Sequence, residues 1–553
     1  MPKINLFAKD SIKSDVIVVG AGIAGLAAAL EASNKGASVI VIESSSVAGG
    51  HAVKAGGLAM TDTALQRSKG IKDSPDLAYN DLLRWGETPN KFWAKRYAEE
   101  SGPEVYDWLV ELGVEFAMLI PTPDHSVPRF HFTRGRSVNV VLPMLRNAAL
   151  NPNIKFVWNT RVKALLRARG KINGVVGENQ RTGEDKWYEA DSVVLSTGGF
   201  ENNLLQVRKN WPSNQKLPNK LLIGAGAFAN GDGYRLAEWA GADMQNMDRQ
   251  VIFYNGLPDP RDETNTRALK ALNTAAIWVN ESGRRFVNES GDEKSIEAAV
   301  SNQKPVSYWV IYDSKGAKGW QVRDALWLKN SMLDEVLINN KKLTVAAENI
   351  SELAVKAGLN KHGLTTTIQT WNRMVELGSD FQFNRFSKET KGQRIYPIKE
   401  APFYATQLYP YTRKSMGGPA INELAQVIDN EGIPIDGLYA AGELTGVGGI
   451  NGEFGGSGTF LGPSVLTGRI AGASGAENSN RSGKFIQPNQ KIKNVTTAIL
   501  GSGQGFWHFE ESHAQVSEMG WNCTKCHNAL NPKRTPRKPE EMLERLNTCK
   551  ECH

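Results

Sequence analysis

Val16-Ile17-Val18-Val19-Gly20-Ala21-Gly22-Ile23-Ala24-Gly25, with Ser38 to Glu43 behind it, decides the fold of this chain. Four consecutive β-branched residues read as a strand buried on both faces, and the alanine-rich stretch from Ile23 to about Asn34 reads as a helix. A second β run from Ser38 to Glu43 completes a βαβ unit. Glycines between strand and helix let the backbone turn tightly and approach a pyrophosphate, whose charge meets the helix N-terminus. Gly20, Ala21, Gly22, Ala24 and Gly25 are therefore the expected pyrophosphate-binding stretch. Glu43 closes the second strand 18 residues past Gly25, where a carboxylate accepts both ribose hydroxyls and repels an added 2′-phosphate. A glycine turn alone is a weak signal; strand, helix and acid together specify a dinucleotide-binding domain.

Further β runs at Lys155–Trp158, at Ser192–Leu195 and, far downstream, at Gly437–Ala441 make that domain discontinuous. Residues 1–245 and 400–476 are expected to form it. Residues 246–399 read as mixed helices and loops, an inserted second domain. A Ser/Asn/Gly/Lys-rich stretch, 477–505, has the composition of a linker, and 506–553 form a small tail. With 41% hydrophobic and 22% charged residues in 553, the chain is ordinary globular protein of several domains, neither disordered nor fibrous. The net charge of +7 is dispersed, and its longest cluster, Lys533 to Lys538, is short. A solvated face is the plainer reading, and nucleic-acid binding has no support. The most apolar stretch, Val16 to Leu30, is broken by three glycines and stops at Glu31, short of the ~20 residues a bilayer requires, and no export signal is recognisable.

Val41-Ile42-Glu43 followed by Gly49-Gly50, Ala55-Gly56-Gly57, Ser196-Thr197-Gly198-Gly199-Phe200, Asn230-Gly231-Asp232-Gly233, Arg284 to Glu289, Ser415-Met416-Gly417-Gly418 and Gly437 to Glu443 resemble the fumarate reductase and succinate dehydrogenase flavoprotein superfamily, in order and in spacing, over residues 15 to about 475. The resemblance implies an α/β fold: a Rossmann-type FAD-binding domain with an inserted α+β capping domain. It implies FAD rather than NAD, with Glu443 at the ribitol and Thr160-Arg161-Val162 as the strand beside the adenine. Gly49, Gly50, His51, Gly57, Thr197, Gly198, Asp232 and Ser457 complete the implied contacts. His51 stands near where some relatives attach FAD covalently. Its spacing to Gly56-Gly57 is one residue shorter and closer to the ketosteroid dehydrogenase branch, which favours a histidine contacting non-covalent FAD.

Relatives that reduce fumarate place an arginine proton donor after the Arg-Phe-Val-Asn-Glu motif, a histidine before the Met-Gly-Gly motif and an arginine in the last flavin loop. Ungapped counting puts Glu293, Lys414 and Glu453 at these positions. Two carboxylates in place of two guanidiniums repel a dianion, so fumarate and succinate are disfavoured. What the resemblance leaves is hydride exchange with the carbon–carbon bond of another small organic molecule. Glu293, Lys414, Arg413 and Glu453 are the proton-handling candidates and Tyr254 an outsider, with a purely structural charge open for each. His125 and His131, near Arg129, Arg134 and Arg136, lie in a loop that approaches substrate in relatives, without a spacing that assigns them a role.

All four cysteines lie in the tail, as Cys523-Thr524-Lys525-Cys526-His527 and Cys549-Lys550-Glu551-Cys552-His553. CxxCH is the attachment pattern of c-type haem: thiols reach the vinyl groups and the imidazole reaches the iron. His527 and His553 are the expected proximal ligands, and His508 and His513 supply two more, enough for two bis-histidine haems in a mostly irregular, helical domain. A zinc ribbon is the competing reading, since paired CxxC across a 22-residue gap closes a tetrahedral thiolate site and haem c is attached outside the cytoplasm. Paired disulfides are a third.

The expectation is a periplasmic or otherwise extracytoplasmic flavocytochrome c, a reductase rather than a dehydrogenase, serving a small organic substrate and a redox partner such as a cytochrome or quinol-linked protein. A leader missing from this numbering, a misassigned start or a partner would account for export. A cytoplasmic ketosteroid-dehydrogenase-like enzyme with a zinc tail, or a non-catalytic electron-transfer subunit, are the alternatives.

Overall fold

The computed structural model describes residues 11–134, 137–323, 328, 330–386 and 395–479. Arg136 and the whole tail, with His508, His513, Cys523, Cys526, His527, Cys549, Cys552 and His553, lie outside the described residues.

The elements that position the site are, in chain order, β1 (Ile12–Val19), α1 (Ile23–Asn34), β2 (Val39–Ile42), β3 (Ile154–Val157), β4 (Thr160–Ala168), β5 (Lys171–Asn179), β6 (Asp185–Leu195) and α2 (Asp232–Ala240). There follow β7 (Gln250–Pro258), β8 (Ala268–Asn273), β9 (Ile277–Val279), α3 (Glu293–Ser301), β10 (Tyr308–Asp313), β11 (Trp320–Arg323), β12 (Thr344–Ala347), α4 (Lys361–Leu377), β13 (Phe403–Ser415), β14 (Gln426–Ile428), β15 (Pro434–Ala440) and α5 (Leu461–Glu477). The chain divides into two compact units, one comprising residues up to Phe200, Gly226–Arg249 and from Ser415 on, the other Glu201–Ala225 and Gln250–Lys414.

In the first unit an eight-stranded sheet runs β14-β15-β6-β1-β2-β3, with β5 pairing β6 and β4 pairing β5. β1, β2, β3, β6 and β15 are mutually parallel along that path. Val16 to Val19 are at most 4% exposed, as a parallel strand covered on both faces requires. Downstream β15 takes its place in this sheet with Leu438 opposite Val193. α1 packs closely on α5 because glycines remove the side chains between them. A Cβ on Gly468 or Gly472 would stand 2.3 or 2.1 Å from the carbonyl oxygen of Ala24 or Ala28.

The second unit carries its own sheet, β9-β10-β13-β7-β8-β11, with β12 and the short strand Leu222–Ile223 also on β13. The sequence reading of helices and loops missed most of these strands, and the unit takes in 201–225 as well as 250–414. Its core gathers Ile277, Leu353, Leu364, Ile398 and Phe403 around Trp371. Arg285 and Arg385 lie over the Trp371 ring, and both pair with Glu289; Arg285 also pairs with Asp380 at 2.9 Å. These charges are almost wholly buried, a placement tolerated only because they are matched and hydrogen-bonded.

Candidate functional site

The three glycines of the first turn do three different things. Gly20 has φ +105°, and a Cβ there would lie 2.6 Å from the Ser196 carbonyl oxygen, so it admits both the turn and the neighbouring loop. A Cβ on Gly25 would lie 1.9 Å from the Gly20 carbonyl oxygen, so this glycine lets the helix close onto the turn. Gly22, the residue before α1, has nothing within 4 Å of its Cβ position and no side chain capping the helix. Its face is the one left open to a ligand, beside the N–H groups of the helix start.

Glu43, at the end of β2, closes on this turn. Its carboxylate accepts the Ala21 N–H at 2.7 Å and the Ser45 N–H at 2.8 Å. Burial pushes its carboxyl above the usual range against those bonds. Gly49 donates its N–H to the Ala21 carbonyl at 2.9 Å, and the positive φ of Gly49 and Gly50 carries the loop across Gly22. His51 opens a short 3-10 turn and stands partly buried, its backbone beside Gly226. Gly57 has a structural reason: a Cβ there would meet the His131 carbonyl oxygen at 2.1 Å across a strand pair.

On the other side of the turn, the Thr197 hydroxyl is buried and without a hydrogen-bond partner among the described residues, and Gly198 at φ +74° faces open space. Val162 is buried in β4. Neighbouring Arg161 holds Asp232, the first residue of α2, with its Nε donating at 2.8 Å, so that carboxylate is engaged within the protein. Glu443 accepts the Ser415 N–H at 3.2 Å, and the Ser457 N–H is tied to Asp124 Oδ2 at 2.6 Å. An open glycine face, an acid after the second strand and an unpartnered buried hydroxyl opposite it are the donor set that a dinucleotide such as FAD fits.

The expected proton-handling residues separate. Glu453 is exposed in the first unit, accepts the Thr88 hydroxyl at 2.9 Å and stands 3.9 Å from Arg249. Glu293 is exposed in the second unit, in the first turn of α3. Arg413 and Lys414 are consecutive on β13 and therefore point to opposite faces. Arg413 is buried and donates to the Gly224 carbonyl at 3.2 Å. His131 is buried, with Nδ1 donating to the Arg129 carbonyl at 2.6 Å, and burial pushes it down to about 4, so it is neutral. Arg129 binds the carboxylates of Asp73 and Asp81. Burial of Asp81 is outweighed by bonds from Ser126, Arg129 and Arg84, which hold it near 2. His125 is lowered by burial and contacts Asp124 at 3.4 Å.

Glu297, one turn beyond Glu293, escapes the sequence reading. Burial pushes its carboxyl up to about 7, with the charge of Glu293 adding to the effect. Nothing in a surface-patterned helix signals this. Among the described residues, no helix is long and apolar enough to cross a membrane, and no group of three or more His, Cys, Asp or Glu is placed to hold a metal ion.

The FAD-binding domain family matches residues 15–461. The chain is 31% identical to the fumarate reductase (cytochrome) of Shewanella frigidimarina over 471 residues, covering 84% of this chain and 78% of that protein. It is also 31% identical to the NADH:fumarate oxidoreductase of Klebsiella pneumoniae (strain 342), covering 84% of this chain but only 48% of that protein's length. A KsdD-like steroid dehydrogenase of Mycobacterium tuberculosis is 27% identical, covering 85% of this chain and 97% of that protein. The open conformation of a flavocytochrome c3 fumarate reductase superposes with a TM-score of 0.69 at 27% identity, covering 85% and 79%.

Proposed function

The chain belongs to the FAD-dependent oxidoreductase family of the fumarate reductase and succinate dehydrogenase flavoproteins, and we propose that it exchanges a hydride with a carbon–carbon bond of a small organic substrate other than fumarate. We further propose that electrons pass one at a time through two c-type haems on Cys523, Cys526, Cys549 and Cys552, outside the cytoplasm.

The observation that carries this reading is the glycine turn. Gly22 leaves the only face of the turn that no protein atom covers, and Glu43 braces the turn from behind through the Ala21 N–H. Bound FAD would supply the two-electron hydride chemistry. The N–H groups at the start of α1 would receive its pyrophosphate, Glu43 its ribose, and Thr197 and Glu443 would orient the remainder. Glu293 and Glu453 argue against a dicarboxylate. Both are exposed acids where dianion-binding relatives have arginines, and their repulsion of a second pair of negative charges outlasts the single distant contact of Glu453 with Arg249.

Haem rather than zinc is favoured in the tail because zinc needs neither the trailing His527 and His553 nor the preceding His508 and His513. Reduction is favoured over dehydrogenation by the same haems, which suit an electron-accepting relay. The test is an absorption spectrum of the dithionite-reduced protein, with pyridine haemochrome and metal analysis on the same sample. A sharp c-type α band at about two haems per chain is expected. Flavin absorption alone with stoichiometric zinc would overturn the haem assignment in favour of a steroid-dehydrogenase-like enzyme, a reading to which the 97% coverage of the KsdD-like relative lends weight. Absence of FAD would overturn the whole reading.

A further inference from the structure

We infer that Glu297 and Tyr254 are the acid–base pair of the second unit: Glu297 carries the proton that accompanies hydride exchange, and Tyr254 offers its hydroxyl as a neutral hydrogen-bond donor to the substrate. The inference rests on the hydride-exchange reading above and replaces Glu293 with a different residue of the same helix.

The geometry begins with α3, capped by Asp292, whose side chain accepts the Ser295 N–H at 2.9 Å. Residues four apart share a helix face, so Glu293 and Glu297 form one column. Glu293, in the first turn, is left exposed, while Glu297, one turn deeper, is partly buried where α3 packs on β7. There its carboxyl takes a hydrogen bond from the Gln215 side chain, brought in by the 201–225 segment. That segment is itself fastened to α3 by Lys216, which donates to the Asn302 carbonyl at 3.1 Å.

Across from α3, Tyr254 on β7 is 5% exposed, and its hydroxyl has no hydrogen-bond partner among the described residues. Gln250, on the same face of the strand, donates its amide to the Asn210 carbonyl at 2.8 Å and leaves Oε1 buried and unpartnered. Buried polar atoms left unmatched are rare enough in folded proteins to mark a place where a ligand or water belongs. Two on one strand face, beside a carboxyl lodged between a helix and a sheet, make a polar site that the fold itself does not use.

The titration of these groups agrees with that role. Burial holds Glu297 at about 7, the like charge of Glu293 raises it, and the Gln215 bond and Lys294 oppose the shift. It is thus part protonated at neutral pH, where a general acid or base is most effective. Tyr254 is pushed far above its ordinary value by burial and then by the charge of Glu297, so it keeps its proton and serves as a donor only. In the reducing direction the substrate's π bond is lost. Hydride carries both electrons into one new C–H bond, the Glu297 proton forms the other, and the flavin is left oxidised. Glu297, left as carboxylate, takes a proton back from solvent at its exposed edge.

The experiment uses the full-length holoenzyme and two readouts. Infrared difference spectra across about pH 5 to 9 follow protonated-carboxyl bands, and reoxidation of dithionite-reduced flavin is followed with fumarate, cinnamate and 4-vinylphenol as probes. A band titrating near 7 is expected, absent in Glu297→Gln and moved to lower pH in Glu293→Gln by loss of the like charge. Reoxidation by the reactive probe should lose its alkaline limb and slow about 10²- to 10⁴-fold in Glu297→Gln, with FAD content unchanged. Tyr254→Phe should slow it while keeping that limb, and Glu297→Asp should keep the limb if the Gln variant folds poorly. Unchanged reoxidation in Glu297→Gln, or no carboxyl titrating in this range, overturns the pair alone. A flavin that none of the probes reoxidises, with the carboxyl titrating as expected, overturns the hydride-exchange reading and the pair with it.

Discussion

Adding one methyl group at Gly22 and at Gly25 should have opposite consequences. At Gly22 the backbone is extended, with φ −73° and ψ −178°, which alanine adopts freely, and the new Cβ meets nothing within 4 Å. Alanine is the poorer residue before a helix, by up to about 1 kcal/mol, but it stiffens the unfolded chain by about 0.4–1 kcal/mol, so stability should change by less than about 1 kcal/mol. The methyl does, however, occupy the face from which a pyrophosphate would reach the helix N–H groups. Loss of one charge-assisted hydrogen bond, about 1.5–3 kcal/mol, weakens FAD binding about 10- to 150-fold. At Gly25 the Cβ would stand 1.9 Å from the Gly20 carbonyl oxygen and 2.7 Å from Ser196 Oγ, so backbone must move. Helix propensity returns about 1 kcal/mol of an overpacking cost of about 1–3 kcal/mol or more, leaving a net loss that lowers the melting temperature by several degrees. The assay is a pair of thermal melts of apoprotein with a flavin-fluorescence titration on each. Wild-type FAD affinity in Gly22→Ala, or a wild-type melt in Gly25→Ala, would refute the assignment of an open face to one glycine and a packing contact to the other.

Arg285→Met should be far more destabilising than a surface change, since it strands the Glu289 and Asp380 carboxylates in the core beside Trp371. Urea unfolding of the second unit should show a loss of about 3–5 kcal/mol, and a loss under about 1 kcal/mol would mean that the network is not load-sharing. Stability should also depend on pH through Glu297. Its folded value near 7 lies above the ordinary 4.5, so the folded state binds the proton more tightly and stability falls as pH rises through that window, by about 3 kcal/mol in full. Glu297→Gln should therefore melt higher than wild type above about pH 7 and equally with it below about pH 4.5, and an offset that does not change with pH would count against the buried carboxyl.

How much of this was legible in the sequence follows from how local each cause is. The β1 turn, α1, β2 and Glu43 could be read because every step is settled within about thirty residues by β-branching, glycine and the end of a strand. The strand at Gly437–Ala441 could be read as a strand, but its registration of Leu438 against Val193 depends on a chain closure of more than two hundred residues, for which no local pattern exists. β13 was lost to a local rule that normally holds. Pro410 stands inside it, and proline is expected only at edges. On one side of β13, pairing with β10 ends at Leu408, opposite Tyr308, and pairing with Leu222–Ile223 begins at Tyr411, so Pro410 falls in the gap between two partners.

The same distinction separates the flavin site from the proton-handling one. The glycine positions answer to contacts a few residues away, so ungapped motif matching places them reliably. Glu293 and Glu297 are, in sequence, two acids at helical spacing on what reads as a solvated face, and motif counting selects the first. Only the arrival of Gln215 from one segment and of Tyr254 from another distinguishes the second, and that arrival is a property of packing. Where a family's motif residue has been replaced, as arginine by Glu293, the alignment column identifies the position that has lost its former chemistry. The residue that now carries the proton has to be sought by asking which carboxyl the fold has desolvated, and in the second unit that residue is Glu297.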